Sequence, residues 1–317
     1  MHAARPATPT EAAVSHTRPP SRDVFGLLLL DKPAGLSSNR ALQRAKRLFA
    51  AAKAGHAGSL DPLATGMLPI FFGAATRLAG FVLGAHKTYR VTARLGAATA
   101  TGDAEGAITE SSLGPPPDGA SIATAAARFV GEISQVPPMY SALKRGGVPL
   151  YRLARSGVEV ERAPRSVRID TLTIERYEWP ELTLRVRCSK GTYVRTLVED
   201  LARAAGTLGH VSALRRLSVE PFAEGAMHTF EGLETAALEG AEALDRLLLP
   251  ADAALVDWPS VRLTSADAAR LAQGQAVAAG EGHPTGCVKV LSEAGELIAI
   301  GLVTAENTLA PTRVFLR

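Results

Sequence analysis

Alternating strands, helices with apolar stripes, and long glycine- and proline-rich stretches between them predict an α+β fold. The clearest strand runs from Lys87 to Gly96, where Tyr89, Val91, Ala93 and Leu95 face one way and Arg90, Thr92 and Arg94 the other. The clearest helix runs from about Arg40 to Ala54, with Leu42, Ala45, Phe49 and Ala52 on one stripe. Near the C-terminus, Val288 to Leu291 and Leu297 to Val303 flank Glu293-Ala294-Gly295, the pattern of a hairpin.

A chain of 317 residues has room for about two domains. Met1 to Asp23 is rich in Ala, Pro, Thr, Ser and Arg and lacks an apolar h-region. Residues 1–24 are therefore expected to form a disordered tail, not a signal peptide. Residues 25–250 should form the main domain and 255–317 a small one, with Pro250 to Pro259 as the boundary.

Phe25 to Leu30 reads as a buried strand delivered into the turn Asp31-Lys32-Pro33-Ala34-Gly35. Ser37, Ser38 and Asn39 are good N-caps for the helix that follows. Arg40, Arg44 and Arg47 repeat on a second face of that helix, either to track a phosphate backbone or as a solvated surface. Leu68 to Phe72 reads as a strand, Thr99 to Gly106 (with Asp103 and Glu105) as a turn, and Ser121 to about Val130 as an Ala-rich helix. Ser166 to Glu178 and Leu182 to Cys188 read as paired strands, the second with Leu182, Leu184, Val186 and Cys188 on one face. Ser189-Lys190-Gly191-Thr192 turns into a helix over Tyr193 to Ala205, closed by Gly206. Arg195, four residues before Glu199, has the spacing of an ordinary surface pair. Ala236 to Leu249 and Leu263 to Gly274 are further expected helices.

Two stretches fit neither period. Gly55-His56-Ala57-Gly58-Ser59-Leu60-Asp61-Pro62-Leu63-Ala64-Thr65-Gly66 is too rich in glycine and proline for a regular element. Asp61 precedes Pro62, which biases it toward an extended, stiffly held backbone of the kind a reacting carboxylate needs. The same residues also suit a simple turn. Gln135 to Gly157 combines Pro137-Pro138 and Gly146-Gly147 with Tyr140, Tyr151, Lys144, Arg145, Arg152 and Arg155. A loop of that length is uncommon without a function, and interleaved aromatics and cations suit stacking on bases while neutralising phosphates.

The rest of the inventory narrows the function. Cys188 and Cys287 stand far apart in no ligand spacing, so neither disulfide nor zinc is expected, and a cytoplasmic location is. The seven histidines form no paired metal motif, and no phosphate-binding glycine loop occurs, so neither metal nor cofactor is expected. The 46% hydrophobic fraction supports a sizeable core, yet no apolar run reaches the roughly 18 residues of a membrane span. A formal charge of +4 is compatible with a nucleic-acid partner.

The stretch from Gly55 to Gly66 resembles the signature of the bacterial tRNA pseudouridine-55 synthases, the TruB family, with Ala57 and Ser59 where the family usually has Thr and Ala. Cys188-Ser189-Lys190-Gly191-Thr192-Tyr193-Val194-Arg195 resembles a second family motif, and Asp31-Lys32-Pro33-Ala34-Gly35 and Gly209-His210-Val211 with Leu214-Arg215-Arg216-Leu217 two more. Together they cover roughly Phe25 to Phe222 in the family's order. Val136 to Lys144 is similar to the family's insertion that grips the T-arm of tRNA, placed at about 135–160. Leu271-Ala272-Gln273-Gly274-Gln275 with the terminal hairpin resembles a small PUA-like RNA-binding domain.

The resemblance implies a pseudouridine-synthase fold: a mixed, mainly antiparallel central sheet flanked by helices and loops, plus the β-rich C-terminal domain. It implies Asp61 as catalytic nucleophile, Arg195 as its charged partner and Tyr89 stacked on uracil and helping to remove the C5 proton. His56 is expected to fill the stacking position vacated by an extruded uridine, with Lys32 as packing support and Tyr193 and Leu214 against the substrate. Arg40, Arg44, Arg47, Tyr140, Lys144, Arg145, Tyr151 and Arg155 are the expected RNA contacts. The implied partner is the tRNA T-arm, bound by a monomer with no obligatory protein partner and no membrane. The implied chemistry suits the inventory: a carboxylate attacks either the ribose C1′ or the base C6, and no redox centre is called for. A non-catalytic RNA-binding or tRNA-folding protein on the same scaffold is the main rival reading. A glycosidase with two opposed acids and a guide-RNA-dependent relative acting on ribosomal RNA are the others.

Overall fold

The computed structural model describes residues 21–315. In chain order the strands of its first half are β1 (Gly26–Lys32), β2 (Ala54–His56), β3 (Thr65–Phe72), β4 (Lys87–Leu95), β5 (Ala97–Thr99), β6 (Ile108–Ser111) and β7 (Gly131–Gln135). They continue as β8 (Lys144–Arg145), β9 (Val148–Pro149), β10 (Arg165–Glu178), β11 (Glu181–Cys188) and β12 (Gly209–Val219). The last are β13 (Ser260–Arg262), β14 (Val277–Ala278), β15 (Gly286–Leu291), β16 (Leu297–Val303) and β17 (Thr308–Val314). The helices are α1 (Ser38–Leu48), α2 (Ala79–Leu83), α3 (Gly119–Ala127), α4 (Leu150–Arg155), α5 (Val194–Ala204), α6 (Phe230–Glu239), α7 (Ala241–Asp245) and α8 (Ser265–Ala272).

An eight-stranded sheet runs in the order β1-β3-β12-β4-β11-β10-β7, with β2 also paired to β3. Its pairs are antiparallel except β12 with β3, where Arg215 and Arg216 lie beside Thr65 and Gly66 in parallel. A separate five-stranded sheet, β13-β15-β16-β17-β14, forms the C-terminal unit. The architecture is the expected mixed, mainly antiparallel α+β arrangement.

The unbroken leucine run of β1 has a direct cause. Leu28 and Leu30 pack with Leu42, Phe49, Phe72 and Phe230 on one side, and Leu27 and Leu29 with Phe71, Leu255, Ile300 and Phe315 on the other. A strand covered on both faces has no use for polar alternation. Because Ile300 and Phe315 share that second core, the C-terminal sheet is seated directly on the main one. Half-covered β4 and β11 keep their alternation: Val91, Ala93, Leu184 and Val186 are buried under α3 and α5.

Several elements differ from expectation. Ser37 Oγ accepts from the Arg40 N–H (3.3 Å) and starts α1 as foreseen, but the helix ends at Leu48, not Ala54. Ala50 turns left-handed (φ 47°) and Ala54–His56 pairs with Phe72–Ile70, so sheet pairing overrides the helix preference of the alanine run. Ala52 leaves the stripe and is exposed. The stretch from Gln135 to Gly157 is not an unstructured loop. Gly146 and Gly147, at φ 56° and 82°, close the tight hairpin β8–β9, and α4 follows. The helix expected over Ala236 to Leu249 starts earlier, capped by Thr229, and breaks at Gly240 (φ 114°) into α6 and α7. Strand β17 was not foreseen. Of the expected tail, residues 1–20 lie outside the described residues, whereas Arg22 is docked to Ala50 and Ala52 through its backbone.

Candidate active site

Asp61 sits on a loop pinned from several sides. Leu60 donates its N–H to Ser38 Oγ (2.7 Å), Ala57 donates to the Pro69 carbonyl (3.0 Å), and Gly35 donates to the Pro62 carbonyl (2.8 Å). Lys32 is fully buried beneath it, its Nζ donating to the carbonyls of Pro33 (2.8 Å) and Leu36 (2.7 Å) and, at 3.4 Å, of Pro62. Burial lowers the Lys32 ammonium to about 8, against the opposing pull of Asp61.

Arg195 projects from the first turn of α5 and is 5% exposed. Its Nε lies 3.0 Å from Asp61 Oδ2. Nη1 donates to the Thr101 carbonyl (2.7 Å) and lies 3.5 Å from Asp103 Oδ2, while Nη2 donates to the Tyr140 carbonyl (2.7 Å). The surface pair with Glu199 that the spacing allowed is not what the guanidinium makes. Asp103 is itself held, accepting from Thr101 Oγ1 (2.5 Å) and the Glu105 N–H (3.1 Å). One arginine thus spans two carboxylates, a turn and the insertion. Burial pushes the Asp61 carboxyl above its usual range, Arg195 opposes that, and the like charge of Asp103 reinforces it.

Asp61 and Arg195 open onto a cleft of about 340 Å³, whose walls also include Lys87, Tyr89, Tyr193, Leu214 and Arg216. Tyr89 stands opposite Arg216 in the β4–β12 pairing. Burial raises its phenol above the ordinary range, and the neighbouring Arg216 guanidinium works the other way. Arg216, only 1% exposed, donates from Nε to Met67 O (2.7 Å) and from Nη2 to Gly58 O (3.0 Å), so it braces the Asp61 loop from below. This requires close approach at Gly66 (φ 96°), where a Cβ would stand 2.2 Å from the Arg216 carbonyl oxygen. Tyr193 is fixed by Gln135, whose side chain accepts from its N–H (3.1 Å), and its ring carries the Arg165 guanidinium at 5.0 Å.

Other expected residues lie away from this centre. His56, on β2, does not line the cleft; burial and the Arg216 charge lower its imidazole, and Nδ1 is enclosed without a partner. Arg40 and Arg47 are exposed on α1, but Arg44 is tied to Glu234 (2.5 Å) and lies 4.1 Å over the Phe230 ring. In the insertion, Lys144 and Arg155 are exposed, Arg145 donates to the Glu161 carbonyl (2.5 Å), and Arg155 approaches the Tyr151 ring at 5.8 Å.

Asp103, Lys87, Arg165 and Arg216 are site residues that sequence reasoning missed. Lys87 had one visible signal, since it continues the inward parity of Tyr89 and Val91 on β4. Asp103 had none: it is a turn aspartate like any other until the fold sets it against Arg195. The second carboxylate does not line the cleft and stands on the far side of that arginine from Asp61, which is not the opposed pair of a glycosidase. Among the described residues no cluster of His, Cys, Asp and Glu could hold a metal ion, and no helix is long and apolar enough to cross a membrane.

Comparison with known proteins places this geometry. Residues 46–194 match the TruB family pseudouridylate synthase N-terminal domain. Residues 195–256 match the tRNA pseudouridylate synthase B C-terminal domain, and 259–315 the C-terminal domain of pseudouridine synthase II TruB. The chain is 49% identical over 295 residues to tRNA pseudouridine synthase B of Pseudomonas aeruginosa (92% of this chain, 96% of that protein). It is 47% identical over 293 residues to the protein of the same name from Nitrosococcus oceani (92% and 95%). Among solved structures it is similar to one described as a Cbf5-Nop10-Gar1 complex, with a TM-score of 0.70, 25% identity, and 92% of this chain and 85% of that one covered. The fold is shared with an H/ACA RNP bound to a substrate RNA containing 2′-deoxyuridine, at a TM-score of 0.69 and 23% identity (92% and 86%). By sequence, fold and the order of its motifs, the chain belongs to the TruB family of pseudouridylate synthases.

Proposed function

We propose that this protein converts uridine to pseudouridine at position 55 in the T-loop of tRNA, extruding the base and using Asp61 as covalent catalyst. The observation that carries the reading is the 3.0 Å contact of Asp61 with Arg195 on the wall of a cleft that Tyr89 also lines, in a chain nearly half identical to curated tRNA pseudouridine synthases. The reaction is an isomerisation: the N1–C1′ bond breaks, a C5–C1′ bond forms, the C5 proton leaves and N1 gains one. Asp61 supplies the carboxylate that attacks C1′ or C6, and Arg195 keeps it ionised and aimed against the pull of burial. Tyr89 stacks on the uracil, and Arg216 lowers the cost of negative charge on its oxygen as the C5 proton is taken. His56 takes the vacated place in the T-loop stack. Arg40, Arg47 and the cations of the insertion hold the T-arm, Lys32 supports the loop from beneath, and Tyr193 and Leu214 bear on the base and ribose. The protein works in the cytoplasm as a monomer, without an obligatory protein partner.

The test is Asp61→Asn with unmodified tRNA transcript, scored by chemical mapping of pseudouridine and by RNA binding. We expect wild-type protein to modify the T-loop uridine and the variant to bind RNA without product. Turnover by the variant above a few per cent of wild type would falsify the nucleophile assignment. Product outside the T-loop would redirect the substrate, and RNA binding by a wild-type protein that makes no pseudouridine would favour the non-catalytic reading.

A further inference from the structure

The charged groups on the cleft wall do not balance. Asp61 is the single acid, while Lys87, Arg165, Arg195 and Arg216 are all cationic. Arg195 is matched by Asp61 and Asp103, and Arg216 is spent on the backbone carbonyls of Met67 on β3 and Gly58 in the Asp61 loop. Lys87 is likewise committed, its Nζ donating to the carbonyls of Leu83 (2.8 Å) and Ala85 (2.6 Å) at the end of α2. Arg165 is different. No ion pair among the described residues includes it, and its Nε and Nη2 are enclosed with no acceptor at all. What holds it is the Tyr193 ring, 5.0 Å from the guanidinium carbon, and Nη1 faces Gly191 on the cleft wall. Ser141, also on that wall and 5% exposed, has an enclosed hydroxyl that lacks a partner too.

A guanidinium with two enclosed nitrogens that lack acceptors is costly unless an acceptor arrives. A uracil is neutral and does not need the surplus positive charge; the phosphodiester joined to its ribose does. Stacking on Tyr193 holds the planar fork in place, with Nη1 on the cleft side where an anion would be met.

We propose that Arg165, held on Tyr193 and aided by the Ser141 hydroxyl, forms an anion subsite that takes the RNA phosphodiester adjoining the target nucleotide. The inference rests on the proposed RNA substrate but concerns a contact separate from the chemistry at Asp61. Arg165 is a binding residue here, and its effect is read in affinity and salt dependence.

The experiment measures binding of a T-stem-loop RNA hairpin by wild type, Arg165→Gln and Arg165→Lys across a salt series. The same hairpin carrying a neutral methylphosphonate at the phosphate on either side of the target uridine is measured in parallel. Arg165→Gln should weaken binding about tenfold and reduce the slope of log K against log salt by about 0.7–0.9, the loss of one phosphate contact. Arg165→Lys should keep the wild-type slope. At one of the two phosphates, methylphosphonate should weaken wild type but not Arg165→Gln further. An unchanged slope in Arg165→Gln, or fully additive losses at both phosphates, overturns the subsite. Pseudouridine formation by wild type on the same hairpin separates the two readings: product with no coupling sinks only the subsite, and no product sinks the proposed function.

Discussion

The Arg195 guanidinium reaches the backbone carbonyl of Tyr140 through Nη2 at 2.7 Å while its Nε faces the Asp61 carboxylate at 3.0 Å. Tyr140 belongs to the insertion between β7 and β8, so the segment expected to grip RNA and the loop that carries Asp61 are tied to one side chain. Anything that moves the insertion is felt at the carboxylate.

Replacing Arg195 with Lys keeps a positive charge but loses the planar fork that reaches Asp61, Thr101 and Tyr140 together. The single-turnover rate of pseudouridine formation should fall about a hundredfold, as expected when a reacting group is misplaced by about 1 Å. Equilibrium binding of tRNA by the variant should change far less. A rate within threefold of wild type would show that the charge alone matters.

Asp103→Asn should move the acid limb of the pH–rate profile to lower pH. Asp61 must be ionised to attack, so activity is lost as pH falls through its folded-state pKa. That pKa is raised by burial first, with Asp103 adding to the rise and Arg195 opposing it. Removing the like charge leaves Arg195 to Asp61 alone, and both effects lower the pKa. Single-turnover rates between pH 4 and 7 check the sign; a limb displaced toward higher pH contradicts the network.

His56→Ala should slow modification of folded tRNA about tenfold, within the range that base–aromatic stacking of about 1–3 kcal/mol implies. On a short single-stranded RNA, where no stack has to be refilled, the variant and wild type should run alike. An equal slowing on both RNAs would assign His56 to the support of the neighbouring loop.

Gly66→Ala should destabilise the fold by about 2–4 kcal/mol. It adds strain at φ 96° and sets a methyl 2.2 Å from the Arg216 carbonyl oxygen, where β3 and β12 meet in parallel. Urea titration followed by circular dichroism gives the difference. A midpoint unchanged from wild type would mean that the strands have room to part.

Much of the fold is legible locally. The two-residue period of β4 and β11 and the cap of α1 are written in neighbouring residues, and the structure keeps them. Legibility fails where a distant partner outweighs a local preference. The alanines after Phe49 favour helix, yet β2 forms because Phe72, Phe71 and Ile70 offer an open edge. The two-residue strands of the insertion are too short to show a period, and Gly146-Gly147 is its one local hairpin signal.

The sequence by itself determined the α+β class, the family, and the two motifs whose Asp61 and Arg195 stand 3.0 Å apart in the folded chain. Only the tertiary structure decided what surrounds that pair: Asp103 behind the arginine, Arg216 under the loop, and Arg165 left without an acceptor on the cleft wall. The reason is physical. Periodicity and caps record contacts between residues a few positions apart, whereas these side chains meet through the parallel pairing of β12 with β3, the pairing of β10 with β7 and the docking of α5, which no stretch of chain contains alone.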